Sequence, residues 1–341
     1  MTCVTNNNTN HNNSSLTEEG NYWRNEVRGS GERLDVYLFH SSLHLSRNKI
    51  QEKIKVGEIL VNGEPTKPSY RVKRGDIIET IYSPPKPLEI KGEPIPLSII
   101  YEDDDIIVIN KQSDLVVHPA TGNLDGTLVN ALLYHCSTLS KGFELDRPGV
   151  VHRLDADTTG VIIFAKSQRA HSNLAMQFQD RKVTKIYLAV VWGKVPMKKG
   201  EINAPIGRHP IKRELMAVTP LGSKESLTYF EVLRSHSFAS TLKVTPLTGR
   251  THQIRVHLSH YGYPIIGDHQ YGGRELEIIR RIGIDYKEEF NKVLQIIDRQ
   301  ALHAISLIIS HPLAGNEMRF NAPLYDDMKR LIRFLNEVNS S

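Results

Sequence analysis

Short apolar runs between turn residues dominate the chain from about residue 98 onward, and such runs are typical of buried strands. They lie at 99–101, 106–110, 150–151, 161–165, 186–191, 226–233, 240–246 and 320–323. Helical spacing of apolar residues occurs at 126–136, 168–180, 251–261 and 275–297. Strands mixed with isolated helices, without regular βαβ alternation, predict an α+β domain over 98–335, built on a mixed, largely antiparallel sheet.

The first 97 residues divide into three segments of different composition. Residues 1–31 are rich in Asn and poor in apolar side chains, which predicts a disordered tail. Residues 32–82 contain helix signals followed by Asn62-Gly63, a strong hairpin turn, and are predicted to form a small α/β module. Residues 83–97 contain five prolines, which predicts a stiff linker.

Charge and cysteine content narrow the class of protein. The formal net charge is +5, which weakly favours a polyanionic partner. Two cysteines exclude a disulfide framework and a cysteine-based zinc site, and they fit a reducing compartment. Neither a secretory signal nor an apolar run of about 18 residues is visible. We therefore expect a cytoplasmic protein without a membrane span.

Basic residues are concentrated on the second helix and the last turn of the 32–82 module. Arg47, Lys53, Arg71 and Lys73 could together bind RNA phosphates. A solvated surface explains the same charges equally well, so the charges alone leave both interpretations open. The segments Arg33-Leu-Asp, Ser46-Arg47, Val61-Asn62-Gly63 and Gly75-Asp76 resemble the alpha-L RNA-binding module, and this resemblance implies the RNA-binding role.

The most informative segment is a polar loop that ends at Gly160 and separates two short apolar runs. It contains Asp155, and an Asp in a turn of this kind usually bonds its own backbone. The spacing of Asp155, Asp157 and Thr159 also imitates a calcium loop, but Lys166 occupies the twelfth position, where such a loop needs a bidentate Glu. The Gly-x-Ser-x-Gly elbow of serine hydrolases does not occur in the sequence.

Tyr187 is a second candidate residue. It lies in the nearly continuous apolar run from Thr184 to Gly193, which predicts a central strand that is covered on both faces. Its ring is either a core aromatic or a platform on which a base stacks.

The segment from Thr248 to Leu258 predicts a helix with several charged and histidine side chains. Its histidines suggest a zinc site, but His252 and His257 are five residues apart and diverge around a helix. The pair at a spacing of four that shared zinc ligation needs is missing, so we reject zinc.

Three segments together resemble the motifs of RluA-type pseudouridine synthases. They are His152-Arg153-Leu154-Asp155, Lys185-x-Tyr187-x-Ala189 and the segment from Thr248 to Leu258. The resemblance implies that Asp155 is the catalytic residue, that Tyr187 is the active-site tyrosine and that Arg255 forms a salt bridge with Asp155. His152, Arg153 and Arg250 are then expected to contact RNA.

The same resemblance implies an isomerase that converts specific uridines in RNA into pseudouridine. The reaction breaks the N–C glycosidic bond and rejoins the uracil through a ring carbon, without redox change or group transfer, so no cofactor or metal ion is expected. Large-subunit (23S) ribosomal RNA is the favoured substrate, transfer RNA is the alternative, and the enzyme is expected to act as a monomer.

Two other functions would use the same fold or the same bond. A non-catalytic RNA-binding or ribosome-assembly factor with the same fold would be marked by loss of Asp155, Tyr187 or Arg255, and all three are present. An N-glycosidase would need a second carboxylate to activate water, and Asp157, the nearest candidate, is better explained as a turn residue.

Overall fold

The computed structural model describes residues 22–39, 41, 45, 47–81, 90–119, 125–136, 138–140 and 147–338. The chain divides into two compact units. The N-terminal unit contains the described residues up to 81. The second unit contains those from 90 onward and is called the catalytic unit because Asp155, the residue predicted to be catalytic, belongs to it. Among the described helices, none has both the length and the apolar character that a bilayer crossing needs.

The N-terminal unit combines two helices with a four-stranded antiparallel sheet. Its elements are β1 (Tyr22–Glu26), α1 (Leu34–Phe39), α2 (Arg47–Lys55), β2 (Ile59–Val61), β3 (Glu64–Pro65) and β4 (Ile77–Ile81), and the strand order is β1-β4-β2-β3. Leu34 and Leu38 of α1 and Ile50 and Ile54 of α2 are buried in one core. The predicted turn after β2 is present, with Asn62 and Gly63 at φ 55° and 80°.

The boundary predicted between the tail and the module is wrong. Strand β1 pairs with β4, and Trp23 and Val27 are buried in the core of the N-terminal unit. Trp23 and Val27 are separated by three polar residues, and two apolar positions are too few to predict a strand next to an Asn-rich segment. Residues 1–21 of the predicted tail lie outside the described residues.

The catalytic unit is built on one nine-stranded sheet, which confirms the predicted fold class. Its strands are β5 (Ile99–Glu102), β6 (Ile106–Lys111), β7 (Thr159–Ala165), β8 (Thr184–Trp192), β9 (Lys199–Asn203), β12 (Leu227–Ser235), β13 (Ala239–Pro246), β14 (Leu302–Ser310) and β15 (Glu317–Asn321). The order is β5-β6-β7-β14-β8-β13-β12-β9, and β15 pairs with β14. The pair β7–β14 is parallel and the others are antiparallel. A separate hairpin consists of β10 (Ile206–Arg208) and β11 (Met216–Val218).

Helices flank this sheet. They are α3 (Leu128–His135), α4 (Gln168–Gln179), α5 (Gln253–His260), α6 (Glu277–Ile282), α7 (Lys287–Ile296) and α8 (Asp326–Val338). Strands β6 and β7 are buried along their whole length, as their apolar runs predict. At Gly160 the parallel strands approach so closely that a Cβ atom would lie 2.3 Å from the Ala304 carbonyl oxygen. This glycine therefore brings β14 against the end of the Asp155 loop.

Three sequence predictions for the catalytic unit need correction. The helix predicted at 275–297 is divided into α6, a short 3-10 helix and α7, because Gly283 has a φ of 108° that ends α6. Val150 forms one isolated bridge with Phe164 and does not start a strand. The second half of the predicted linker belongs to the catalytic unit, since Ile90 and Leu97 pack against its core. Residues 82–89 of that linker lie outside the described residues.

Candidate active site

The loop with Asp155 enters one face of a cavity of about 540 Å³ in the catalytic unit. The loop, the start of β8 and the segment before α5 line this cavity. Asp155, Tyr187 and Arg255 all contribute to its wall, although they are far apart in the sequence. The fold therefore brings the three predicted active-site residues together.

Buried polar groups hold the Asp155 loop from behind. The ammonium of Lys111, at the end of β6, is fully buried and donates hydrogen bonds to the carbonyl oxygens of Ala156 at 2.6 Å, Leu115 at 2.8 Å and Gln112 at 2.9 Å. Burial lowers the pKa of Lys111 to about 7, while the charges of Asp157 and Asp155 oppose the shift. This lysine therefore fixes the backbone next to Asp155.

The residues before β14 support the other end of the loop. Arg299 donates to the Asp157 carbonyl oxygen at 3.2 Å, and its guanidinium forms a bidentate pair with Asp327 at 2.7 and 3.0 Å. The Gln300 amide donates to the Thr158 hydroxyl at 3.2 Å. The loop conformation thus depends on side chains that follow it by more than one hundred residues.

Arg255 is the buried cation of the site. Its Nε and one terminal nitrogen donate to Asp268 at 2.7 and 2.9 Å, and that nitrogen also donates to Gln270 at 2.8 Å. The other terminal nitrogen lies 3.1 Å from Asp155 Oδ2. The guanidinium also lies 4.9 Å from the centre of the Tyr271 ring. Because Asp268 fixes the plane of the guanidinium, Arg255 can hold the Asp155 carboxylate in one orientation.

Tyr187 and His252 complete the surroundings of Asp155. Burial, together with the charge of Asp155, raises the pKa of Tyr187 well above its ordinary value, so the hydroxyl keeps its proton at neutral pH. His252 Nε2 lies 3.9 Å from Asp155 Oδ1, and its Nδ1 lies 2.7 Å from the Tyr271 hydroxyl oxygen. Burial lowers the pKa of His252. The neutral imidazole is therefore oriented toward the carboxylate by Tyr271.

Sequence reasoning did not identify Lys111, Asp268, Tyr271, His252 or Arg299 as parts of this site. Asp268 follows the third motif closely, and its position beside Gly267 was the available signal. No comparable signal marks Lys111, because a lysine that ends an apolar run is also common at a protein surface.

The residues predicted to contact RNA in the catalytic unit lie along the same cavity. The His152 ring stacks on Phe178 at 4.7 Å, and its Nε2 accepts the Ile163 backbone N–H at 3.0 Å. Burial and the nearby Lys185 charge lower the pKa of His152 to about 3, so it is neutral. Arg153 is exposed at the cavity wall, and Arg250 donates to the Glu225 carbonyl oxygen at 3.2 Å. Their roles in RNA binding stay predictions.

The basic residues of the N-terminal unit have different partners. Arg47 pairs with the buried Asp35 at 3.0 Å, and Lys53 pairs with Glu58. The exposed Arg71 donates to the Gly31 carbonyl oxygen at 2.6 Å, and Lys73 is exposed. Arg71 and Lys73 therefore present their charge to solvent without a carboxylate partner in the described part of the unit, whereas that of Lys53 is already paired.

Two clusters in the described residues have the donor types of a metal site. In one, both Asp103 oxygens already accept hydrogen bonds, from backbone N–H groups, the Tyr101 hydroxyl and His311. In the other, which contains His135 and Cys136, Glu102 is paired with Lys166 at 2.7 Å. These clusters are satisfied by protein groups, and neither lines the cavity.

The α5 histidines do not converge on a common point. His257 binds the Thr228 hydroxyl and the Ala204 carbonyl oxygen, both at 2.9 Å, whereas His252 binds Tyr271. This divergence agrees with the rejection of a zinc site on that helix.

Comparisons with known proteins identify both units. The family model described as RNA pseudouridylate synthase matches residues 105–260, and the S4 domain model matches residues 32–78. The chain is 41% identical over 314 residues to ribosomal large subunit pseudouridine synthase D of Vibrio vulnificus, covering 91% of this chain and 94% of that protein. It is 44% identical over 315 residues to an uncharacterized RNA pseudouridine synthase of Chlorobaculum parvum, covering 90% and 94%.

A solved structure supports the same assignment. The human RNA pseudouridylate synthase domain containing 1 matches with a TM-score of 0.51 and 27% identity, covering 72% of this chain and 96% of that one. The predicted resemblance is confirmed. The chain belongs to the RNA pseudouridylate synthase family, enzymes that isomerise uridine to pseudouridine, and it carries an N-terminal S4 domain.

Proposed function

We propose that this enzyme forms pseudouridine in large-subunit ribosomal RNA and that Asp155 is its catalytic residue. The observation that carries the assignment of Asp155 is its position in the cavity wall, 3.1 Å from a buried arginine that Asp268 holds in place. Relatives in Vibrio vulnificus and Vibrio cholerae, at 41% and 42% identity, are named ribosomal large subunit pseudouridine synthase D, which favours ribosomal RNA over transfer RNA.

The target uridine has to leave its stack before it can reach Asp155. The cavity of about 540 Å³ has room for one nucleoside, and the Tyr187 ring offers a face for the flipped base. The carboxylate can then stabilise or attack an electron-poor carbon as the N–C bond breaks. After the uracil rotates, its C5 forms the new bond to the sugar and loses its hydrogen as a proton.

The S4 domain supplies the contacts that hold the flanking RNA. Arg71 and Lys73 are exposed and lie in the same segment, where they can neutralise phosphates without reading the sequence. We further propose that the enzyme acts as a monomer and that it lies in the cytoplasm. The low cysteine content supports the second part, because it fits a reducing compartment.

A pseudouridine map of total RNA, from cells with and without the gene, tests the substrate. One or a few large-subunit positions should lose the modification, and loss confined to transfer RNA would overturn the ribosomal assignment. Sedimentation of the purified enzyme tests its monomeric state, and imaging of a tagged protein tests its location.

A further inference from the structure

Lys185 is a cation in the wall of the Asp155 cavity, and the reaction described above gives it no role. It precedes Tyr187 by two residues on β8, so both side chains point from the same face of the strand into the cavity wall. Its ammonium donates one hydrogen bond, to the Thr248 carbonyl oxygen at 3.2 Å. Within the described residues no carboxylate lies in ion-pair contact with it.

Other lysines of the catalytic unit are satisfied differently. Lys166 and Lys199 pair with carboxylates, and the buried Lys111 donates to three carbonyl oxygens. An ammonium has three N–H donors, so Lys185 keeps two that the described protein groups do not accept. Lys185 is only partly buried, and a cation that is partly removed from water without a counter-ion is favoured by a ligand that supplies the anion.

The surroundings indicate which part of the RNA this ligand is. The charge of Lys185 acts on His152, whereas the charge of Asp155 acts on Tyr187. The ammonium lies beside the Thr248 carbonyl oxygen, to which it donates, and it forms no ion pair with Asp155, the carboxylate that the reacting base must meet. A flipped nucleotide keeps its phosphodiester links to the strand, and these pass the wall of the pocket when the base is inside.

We propose that Lys185 binds a phosphodiester group next to the target uridine and thereby holds the flipped nucleotide in the cavity. The proposal rests on the proposed placement of the base beside Asp155. Phosphate is a permanent anion with free acceptor oxygens, which matches an ammonium with two unused donors. A carbonyl oxygen of the uracil is the alternative ligand, and the test below separates the two.

The first experiment combines protein and RNA variants. The probe is a short synthetic RNA around a uridine that the wild-type enzyme modifies, made with either flanking phosphate or an uncharged methylphosphonate. Binding is measured in the Asp155→Asn background, in which no turnover disturbs the equilibrium. Lys185→Met should weaken binding about tenfold and lower the salt slope by about one.

The controls and the decisive comparison follow from charge. Lys185→Arg should bind nearly as well as the parent, and Lys243→Met, which removes a lysine on the neighbouring strand outside the cavity wall, should have no effect. A methylphosphonate at one flanking linkage should weaken binding to the parent as much as Lys185→Met does, and should add nothing in that variant. If the losses caused by Lys185→Met and by the methylphosphonate add up at each of the two linkages, the phosphate assignment is wrong. Lys185 would then contact either the base or no part of the RNA.

The second experiment uses pH. Burial lowers the pKa of Lys185 to about 8, so in the free enzyme the ammonium loses its proton as the pH rises through that value. The kcat/KM of the wild type should therefore fall between about pH 7.5 and 9.5 more steeply than that of Lys185→Arg, whose guanidinium stays charged. Identical pH profiles would overturn the proposal.

The other groups around the cavity do not produce this difference. The pKa of Arg255 is raised by its pairing with Asp268 and Asp155 against the effect of burial, so its guanidinium stays charged throughout. His152 and His252 have lowered pKa values, Tyr187 has a raised one, and Lys111 titrates near 7 in both enzymes. If Asp155→Asn retained turnover, the catalytic assignment would fail, while the pH profiles of the wild type and Lys185→Arg, which do not use that variant, would still test the role of Lys185.

Discussion

Both units contain an arginine paired with a fully buried aspartate, and the two arginines differ in exposure. The Arg255 side chain is 6% exposed, and Asp268, Gln270 and Asp155 accept its hydrogen bonds. The Arg47 side chain is 49% exposed and pairs with Asp35 at 3.0 Å. The same type of ion pair is therefore buried in the catalytic unit and about half exposed to solvent on the arginine side in the S4 domain.

This difference indicates two uses of one interaction. Four of the five N–H donors of the Arg255 guanidinium are engaged, so Arg255 is held in place and can keep a carboxylate at a fixed position for a reaction. A guanidinium with half of its surface in solvent can still contact an RNA phosphate while the buried aspartate limits its freedom. Catalysis depends on the first arrangement, and binding of the RNA backbone tolerates the second.

The largest effect is expected at Asp155. Among the described residues, Asp155 is the one carboxylate that both contacts Arg255 and lines the cavity, so Asp155→Asn should lower turnover at least about a thousandfold while RNA affinity changes little. Asp157→Asn is the matched control in the same loop, because Arg299 contacts Asp157 through its carbonyl oxygen. Release of tritium from RNA labelled at C5 of uridine measures both. Near-normal release by Asp155→Asn would disprove the catalytic assignment.

Removing each arginine in turn tests whether its exposure determines how much the ion pair stabilises its unit. Arg255→Ala leaves Asp268 buried without its cation and should cost about 3–5 kcal/mol of unfolding free energy in its unit. Arg47→Ala should cost about 1 kcal/mol or less, since Arg33 and Gln51 still bind Asp35. Hydrogen exchange, followed separately in the two units, gives both values. Equal losses would mean that exposure does not distinguish the pairs.

Lys111 provides a third test, because it acts on Asp155 through the backbone. Lys111→Met removes the hydrogen bond to the Ala156 carbonyl oxygen, and a small displacement of the loop should lower kcat about a hundredfold without a matching rise in KM. Thermal unfolding at neutral pH checks that the variant is folded. An unchanged kcat would show that the loop is held well enough by Arg299 and Gln300.

The same variant should also change how the free energy of unfolding depends on pH. The pKa of Lys111 is lowered from 10.5 to about 7, so above pH 7 the unfolded chain binds more protons than the folded protein. The stability of the wild type relative to Lys111→Met should therefore rise between pH 7 and about 10, by up to about 1.4 kcal/mol per pH unit. Denaturation with urea across this range measures the slope, and a flat difference would mean that burial does not lower the pKa of Lys111.

Local patterns predicted the parts of the fold that depend on local chemistry. The apolar runs of β6, β7 and β8 are buried strands, and the capped helices α3 and α4 begin within two residues of the expected positions. Edge elements were missed, because β9 exposes most of its polar side chains and β10 and β11 have only three residues each, too few to show a period.

The candidate site was predictable where one short motif carries the chemistry. Asp155, Tyr187 and Arg255 each belong to such a motif, and the fold brings them to one cavity. Asp327, which holds Arg299, lies on a helix that the sequence analysis did not identify. Contacts between segments so far apart in the chain leave no pattern in a single sequence, so this support could be found only in three dimensions.

A smaller effect is expected in the S4 domain. Changing Arg71 and Lys73 together to Gln should raise KM for long RNA about threefold to tenfold and reduce the salt slope by about two, because phosphate contacts set that slope. Turnover at saturating RNA should stay within about twofold. Lys287→Gln, which removes an exposed charge from α7 of the catalytic unit, is the control. A drop in kcat instead of a change in KM would contradict a role confined to RNA capture.

Removal of metal ions should have no effect on chemistry. The positive charge beside Asp155 is the guanidinium of Arg255, and Asp268 keeps it there, so the site has a fixed cation of its own. The clusters around Asp103 and Glu102 are occupied by hydrogen-bond donors of the protein and lie outside the cavity wall. Turnover on a short RNA that folds without divalent ions should therefore be unchanged by EDTA. A loss that one specific ion restores would place a metal in the mechanism and would weaken the view that Arg255 alone supplies the charge.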